Sequence, residues 1–342
     1  MPASKKSAKG SVRLAIIGTG GMANVHAQNF SSIKGVKIVA ACDIDLARVE
    51  KFCATHSIPA AFTDVAEMLK QADIDAVTIV TPDAYHAPLS IQCLKAGKHV
   101  LCEKPLALNH ADTRRMVAAA KKSGRVAMVN LSYRDWPAIQ AVAGAVARGD
   151  IGEVRHVEAS YLQAWLVSKA WGDWRTTPAW LWRLSSKHGS AGVLGDVGVH
   201  IVDFATYPVG PIKNVYCRLK AFDKAPGNRT GEYVLDANDS ATMSVEFANG
   251  ALGVIHTTRW CGGHNNRLFL KIAGTKGSIE IDSDRSTDRY RVCRGSDLQS
   301  AVWKEVKAKP TPSNYQRFIT AIRTGKPGQP DFGRGSEVQK VL

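Results

Sequence analysis

Short apolar runs alternate with segments of helical period from Val12 to Leu131. Val12–Gly18, Val36–Asp43, Asp75–Thr81, His99–Lys104 and Arg125–Leu131 are the apolar runs. Such runs suit strands covered on both faces, as in a parallel sheet. Between them Met22–Phe30, Leu46–His56, Val65–Lys70, Pro88–Lys95 and Ala111–Lys122 read as helices. The alternation predicts a Rossmann-type α/β domain with a doubly wound parallel sheet over residues 12–131.

After Leu131 the pattern changes. A helix is expected over Ala138–Ala147, ended by Gly149. Strands then dominate, at Val154–Leu162, Ile212–Phe222, Ser240–Phe247, Leu252–Thr258, Leu268–Ala273 and Ser278–Asp282. Asn249–Gly250 is a strong hairpin signal, and Gly274–Gly277 marks a second. Helical segments interrupt at Asp196–Tyr207 and Ser313–Thr324. The expectation is an α+β C-terminal domain, residues 132–342, with a large, mostly antiparallel open sheet. Such a sheet can leave one face for a partner.

The length of 342 residues suits two domains. With 45% hydrophobic and 22% charged residues, the chain is ordinary for a globular protein. It has no apolar run of about 18 residues, so no membrane span is expected. Residues 1–11 are polar and basic, and read as a disordered tail rather than a signal peptide. Seven cysteines without a C-x-x-C pair point to reduced thiols in a cytoplasmic protein. The histidines do not cluster near them, so no metal is expected. The net charge of +15 is dispersed and lacks the aromatic interleaving of a nucleic-acid module, so no nucleic-acid partner is expected. An anionic cofactor accounts for part of that charge.

The first predicted strand ends in Gly18-Thr19-Gly20-Gly21-Met22-Ala23. Gly18 permits a tight turn, Gly20 lets a pyrophosphate approach the backbone, and Ala23 allows close helix–strand packing. The following helix aims its first N–H groups at the phosphates. Asp43 ends the second strand, 23 residues after Gly20. A carboxylate there accepts from ribose hydroxyls and repels a 2′-phosphate, which favours NAD over NADP. Arg48, one helical turn further on, keeps NADP open as an alternative.

From Ala76 to Leu108 the sequence carries Thr81-Pro82 with His86, then Ala96-Gly97-Lys98-His99-Val100, then Glu103-Lys104-Pro105. Further on come Tyr133-Arg134, Gly149-Asp150-Ile151-Gly152 and Gly195-Asp196-Val197-Gly198-Val199-His200. In these motifs, from Leu14 to about Phe332, the chain resembles the glucose–fructose oxidoreductase / inositol dehydrogenase / MocA (Gfo/Idh/MocA) family of NAD(P)-dependent oxidoreductases. The resemblance implies a cis Lys104–Pro105 bond, a closing helix cut short at Leu342, and a homodimer or homotetramer. It places Gly18, Thr19, Gly20, Gly21, Met22, Asp43 and Ile44 around the cofactor. Thr81, Pro82, Asp83, His86, Glu103, Lys104 and Arg134 complete that set.

By the same resemblance Lys104, Asp196 and His200 are catalytic. Lys104 follows a strand at the carboxyl edge of the sheet, where it can stabilise charge on a reacting oxygen. Asp196 and His200 are four residues apart, which on a helix puts them on one face. Histidine titrates near neutrality and can exchange a hydroxyl proton. Asp203, on that face, reads as structural.

Five tryptophans lie between Trp165 and Trp182. Their flat faces suit sugar rings. Trp165 and Trp174 are the first candidates to touch substrate, with Tyr161 and Arg134 beside them; the rest read as core. The implied activity is hydride transfer between NAD and a secondary hydroxyl or ketone of a sugar, glycoside or cyclitol. Three other readings stay open: an NAD-using glycosidase of the same fold, a nucleotide-sugar dehydrogenase, and a non-catalytic sugar-sensing protein.

Overall fold

In the computed structural model the described residues are 11–342. Six apolar strands begin the chain: β1 (Val12–Ile17), β2 (Val36–Cys42), β3 (Ala61–Phe62), β4 (Ala76–Ile79), β5 (His99–Cys102) and β6 (Ala127–Val129). They form one parallel sheet in the order β3-β2-β1-β4-β5-β6. Helices α1 (Gly21–Ser31), α2 (Leu46–His56), α3 (Val65–Gln71), α4 (His86–Lys95) and α5 (His110–Ser123) connect them. The strand order reverses between β1 and β4. In open α/β sheets ligands gather at that switch, outside the carboxyl ends of the strands. Gly18, Asp43, Thr81, Lys104 and Asn130 all stand just past those ends. The apolar runs overshoot the strands there; the run at Asp75–Thr81, for example, pairs only over Ala76–Ile79.

Tyr133 to Thr311 make a second unit. It begins with α6 (Pro137–Ala147), β7 (Val154–Gln163), the short α7 (Pro178–Leu181), α8 (Val199–Val209) and β8 (Ile212–Lys220). A small hairpin follows, β9 (Arg229–Thr230) with β10 (Tyr233–Val234). Then come β11 (Ser240–Phe247), β12 (Leu252–Thr258), β13 (Asn266–Gly274), β14 (Gly277–Asp282), β15 (Arg289–Arg294) and β16 (Lys304–Lys307). The large sheet runs β16-β15-β14-β13-β7-β12-β11-β8. All of its pairs are antiparallel except β7–β12. Alternate residues of β11, such as Ala241, Met243, Val245 and Phe247, are buried. The hairpins at Asn249–Gly250 and Gly274–Gly277 stand where the turn residues predict them.

The last helices, α9 (Asn314–Thr324) and α10 (Phe332–Val341), depart from the expected boundary. Pro312–Lys340 belongs to the first unit, although the sequence pattern assigned everything after Leu131 to the second domain. The cause is the apolar stripe of α9. Tyr315, Phe318 and Ile319 complete one core cluster with Val12, Leu14, Phe30, Leu101 and Met128. Ser313 and Gln316 start this helix with a reciprocal capping box. Among the described residues no helix is long and apolar enough to cross a membrane.

Phe318 is fully buried against Phe30. Replacing Phe318 with Ala is expected to cost about 3–5 kcal/mol, read by urea unfolding. A loss below about 1 kcal/mol would show that α9 is not part of the first unit's core.

Candidate active site

In the first unit the glycine turn fits a dinucleotide. Gly18 has φ +88, and a Cβ there would lie 2.8 Å from the Val80 carbonyl. Gly20 and Gly21 meet nothing within 4 Å, so the protein's own packing does not demand glycine at either position. That open space is what a close-approaching pyrophosphate needs. Asp45, Asp64 and Asn109 cap α2, α3 and α5 with their side chains, whereas Gly20 leaves α1 without a side-chain cap. Among the described residues, the buried Thr81 hydroxyl beside this turn also has no hydrogen-bond partner. Asp43 Oδ2 accepts from the Thr19 N–H at 2.8 Å and the Thr19 hydroxyl at 2.9 Å. Burial alone would raise this carboxyl. Those bonds, the Asp45 N–H and the nearby Arg48 hold it below the usual range.

A buried polar network stands behind Lys104. His26, in α1, reaches Thr78 Oγ1 through Nδ1 and Glu103 Oε1 through Nε2, each at 2.8 Å. Asn130 donates to Glu103 Oε1 at 2.6 Å and to the Tyr315 hydroxyl at 3.2 Å. The Lys104 N–H donates to Glu103 Oε2 at 3.1 Å. Burial would push the Glu103 carboxyl up, but His26 and Asn130 prevail and hold it at about 2. The Lys104–Pro105 bond is cis, as the motif implied.

His86 sits beside that turn with no solvent exposure. Its Nδ1 lies 2.7 Å from the Pro105 carbonyl oxygen, and its Nε2 lies 2.9 Å from that of Thr81. Carbonyls only accept, so making both contacts as hydrogen bonds at once asks for a proton on each ring nitrogen. Burial alone would lower its pKa. Cys102, the Pro105 carbonyl and Asp83 raise it to about 10.

In the second unit Asp196 lies in a π-turn, Leu194–Gly198, that feeds α8. The predicted single helix from Asp196 therefore needs correcting, because such a turn carries about one extra residue. Its packing favours glycine: a Cβ on Gly195 would lie 2.3 Å from Ala191 Cβ, and one on Gly198 2.9 Å from Leu194 Cδ1. Asn238 Oδ1 accepts from the Leu194 N–H at 3.1 Å and fixes the turn's start. Arg259 donates to Asp196 Oδ2 at 3.0 Å, and Arg183 Nε lies 3.9 Å from the same oxygen.

His200 is buried, with the Tyr133 ring edge-on at 4.6 Å between centroids. The Tyr133 and Tyr161 hydroxyls are 2.5 Å apart, and both bond the Asn266 side chain. Gln163 donates to Asn266 Oδ1 and accepts from Trp165 Nε1. Burial, then Tyr133 and Asp196, push the Tyr161 phenol well up.

Two family models match the chain: the NAD-binding Rossmann fold of the oxidoreductase family over residues 12–131, and the GFO/IDH/MocA C-terminal domain over 139–280. The chain belongs to the Gfo/Idh/MocA family. Levoglucosan dehydrogenase of Pseudarthrobacter phenanthrenivorans is 32% identical over 69% of this chain. That alignment spans only 62% of the relative's length. Myo-inositol 2-dehydrogenase of Thermotoga maritima is 26% identical over 97% of this chain and 93% of its own. A levoglucosan dehydrogenase solved with NADH superposes with a TM-score of 0.85, at 26% identity, over 96% of this chain and 94% of that one. The first unit is thus the NAD-binding domain of a Gfo/Idh/MocA oxidoreductase.

Against this family frame some expected site residues move. Arg134, assigned to cofactor and substrate, has its guanidinium committed to Asp203 at 2.8 and 2.7 Å and stacked 3.7 Å from the Tyr207 ring. It holds α8 in place. Trp174 is core, 2% exposed, with its indole N–H given to the Leu166 carbonyl. Trp165 is 4% exposed and packs under Arg259. Of the five rings, Trp182 is the exposed one, at 40%. Met22 and Ile44 are exposed near the glycine turn. Arg259, Asn266, Gln163 and Asn238 escaped the sequence reading. They belong to no motif, and only the register of β7 and β13 brings Tyr161 and Asn266 near each other.

His86 is expected to show two protonated ring nitrogens in ¹⁵N NMR at about pH 8. Its raised pKa stabilises the fold fully below about pH 6.5, and that contribution fades as pH climbs through about 10. The urea-midpoint gap between wild type and His86→Gln should shrink across that window. A neutral ring at pH 8 would refute the assignment.

Proposed function

We propose that this protein transfers hydride between NAD and a secondary hydroxyl, or the matching ketone, of a sugar, glycoside or cyclitol. The observation that supports this most is the carboxyl edge of the six-stranded sheet. The open turn over α1, Asp43 after β2 and Lys104 after β5 lie along that one edge. The levoglucosan and myo-inositol dehydrogenases among its relatives point to the same substrate class.

Bound NAD supplies the hydride acceptor at nicotinamide C4. Lys104 donates through Nζ to the reacting oxygen and stabilises the negative charge that grows there. His200 takes the hydroxyl proton during oxidation and returns it during reduction. Asp196 accepts from a substrate hydroxyl and orients the ring, with the Tyr161 phenol beside it. Asp43 selects NAD by accepting from ribose hydroxyls. A second copy of the chain covers the outer sheet face that carries Tyr216, Val254 and Leu252, giving a homodimer or homotetramer.

The test is a panel of levoglucosan, myo-inositol, common sugars, glycosides and nucleotide sugars, each with NAD and with NADP, followed by NADH absorbance. Lys104→Ala is expected to lower kcat/KM on the best substrate by about 10²–10³-fold. His200→Asn is expected to lower it by about 10²-fold or more. Full turnover by Lys104→Ala would sink the mechanism. Release of free sugar from a glycoside without net NADH would replace the dehydrogenase with a hydrolase.

A further inference from the structure

We propose that Arg259 is a positioning residue for Asp196, fixing one carboxylate oxygen and keeping the group ionised so that it meets substrate only as an acceptor. This rests on the role proposed above for Asp196. Arg259 follows β12 and is wholly buried. Its backbone is fixed at both ends: the N–H donates to the Asp239 carbonyl at 3.0 Å, and the carbonyl accepts from the Leu166 N–H at 3.3 Å. Nη1 donates to the Arg183 carbonyl at 3.0 Å, Nη2 donates to Asp196 Oδ2 at 3.0 Å, and the guanidinium lies 4.9 Å from the Trp165 ring centre.

A guanidinium removed from water is costly unless a carboxylate answers it, and packing alone would be served as well by an apolar side chain. Among the described residues, the one carboxylate within ion-pair distance of Arg259 is Asp196. Asn238 holds the backbone of the π-turn from one side, and Arg259 holds one oxygen of the Asp196 carboxylate.

The charged and titratable groups facing Asp196 within the second unit come from several elements. Arg259 follows β12, Arg183 stands in the turn at Trp182–Leu184, Tyr161 is on β7, and His200 is on α8. Asp239, at the start of β11, is held by Lys224 at 2.8 Å. Of these, Arg259 is the cation withdrawn from solvent, so its charge is the least screened.

The experiment uses the full-length chain with NAD and the best substrate of the panel. It compares wild type with Arg259→Met, Arg259→Lys, Asp196→Asn and the double variant Arg259→Met with Asp196→Asn. Arg259→Met is expected to lower kcat/KM about 30–100-fold and to move the acidic limb of the kcat profile up by about one pH unit. Arg259→Lys should return the limb and part of the rate. In the Asp196→Asn background, Arg259→Met should cost no further activity. An equal loss in both backgrounds with an unmoved limb would overturn the proposal.

A substrate-free readout separates this inference from the reaction. Infrared difference titration of ¹³C-aspartate protein should show one carboxyl that is missing in Asp196→Asn and shifted upward in Arg259→Met. That shift without turnover on any substrate would refute the proposed function but keep the pairing. Turnover with no shift would refute the pairing but keep the function.

Discussion

A carboxylate sealed inside a folded sheet stays charged only if polar groups come to it. Glu103 is that carboxylate in the first unit, and distant stretches of chain converge on it. His26 comes from α1, Asn130 from the end of β6, and Tyr315 reaches Asn130 from α9. The Lys104 N–H hangs from the other oxygen. Helix α1 opens on the glycine turn with its first residues and meets Glu103 from its second turn. In the function proposed above, displacing α1 would disturb the cofactor turn and the lysine together.

Among the described residues the second unit repeats this logic with two buried ion pairs and a third in which only the cation is buried. Lys224 and Asp239 are both fully buried at 2.8 Å and close the loop between β8 and β11. Arg134 with Asp203 ties the start of the unit to α8. Arg259 with Asp196 ties the end of β12 to the π-turn. Replacing a buried pair by packed apolar residues is often neutral or stabilising, so stability alone explains none of them. What each does is tie one segment of the unit to another.

The fold was largely legible because both periodic signals are strong. Leu46–His56, Ser240–Phe247 and Leu252–Thr258 stand as helix and strands with the bounds their pattern suggests. The misses share a physical cause. The edge strand β16 and its neighbour β15 carry charged residues that pair across the ladder, Arg291 with Glu280 and Arg289 with Glu305, so no apolar face marked them. The return of α9 to the first unit was invisible because its stripe says only that a face is buried, not against what. In the candidate site the motif residues were readable, while Asn266 and Arg259 were not. Their placement depends on strand register and on a carbonyl, neither of which has a local signature. Arg134 came from the family resemblance and Trp174 from its residue type, and neither signal carries the protein partner each one has, Asp203 and the Leu166 carbonyl.

The π-turn gives Asp196 a backbone setting that spacing alone does not reveal. An uninterrupted α-helix from Asp196 to His200 would set both side chains on one face, a turn apart. Gly195 and Gly198 sit where added Cβ atoms would clash, so this stretch selects a backbone path rather than side chains. The neighbours of the two groups differ in part, although Tyr161 lies near both. Asp196 meets Arg259 and Arg183, while His200 packs on the rings of Tyr133 and Tyr161. A hydroxyl acceptor has to stay ionised, whereas a proton carrier has to change state in every cycle. Different surroundings suit the two roles proposed for this short stretch of chain. Cations fix the carboxylate, and the aromatic rings of Tyr133 and Tyr161 seat the imidazole.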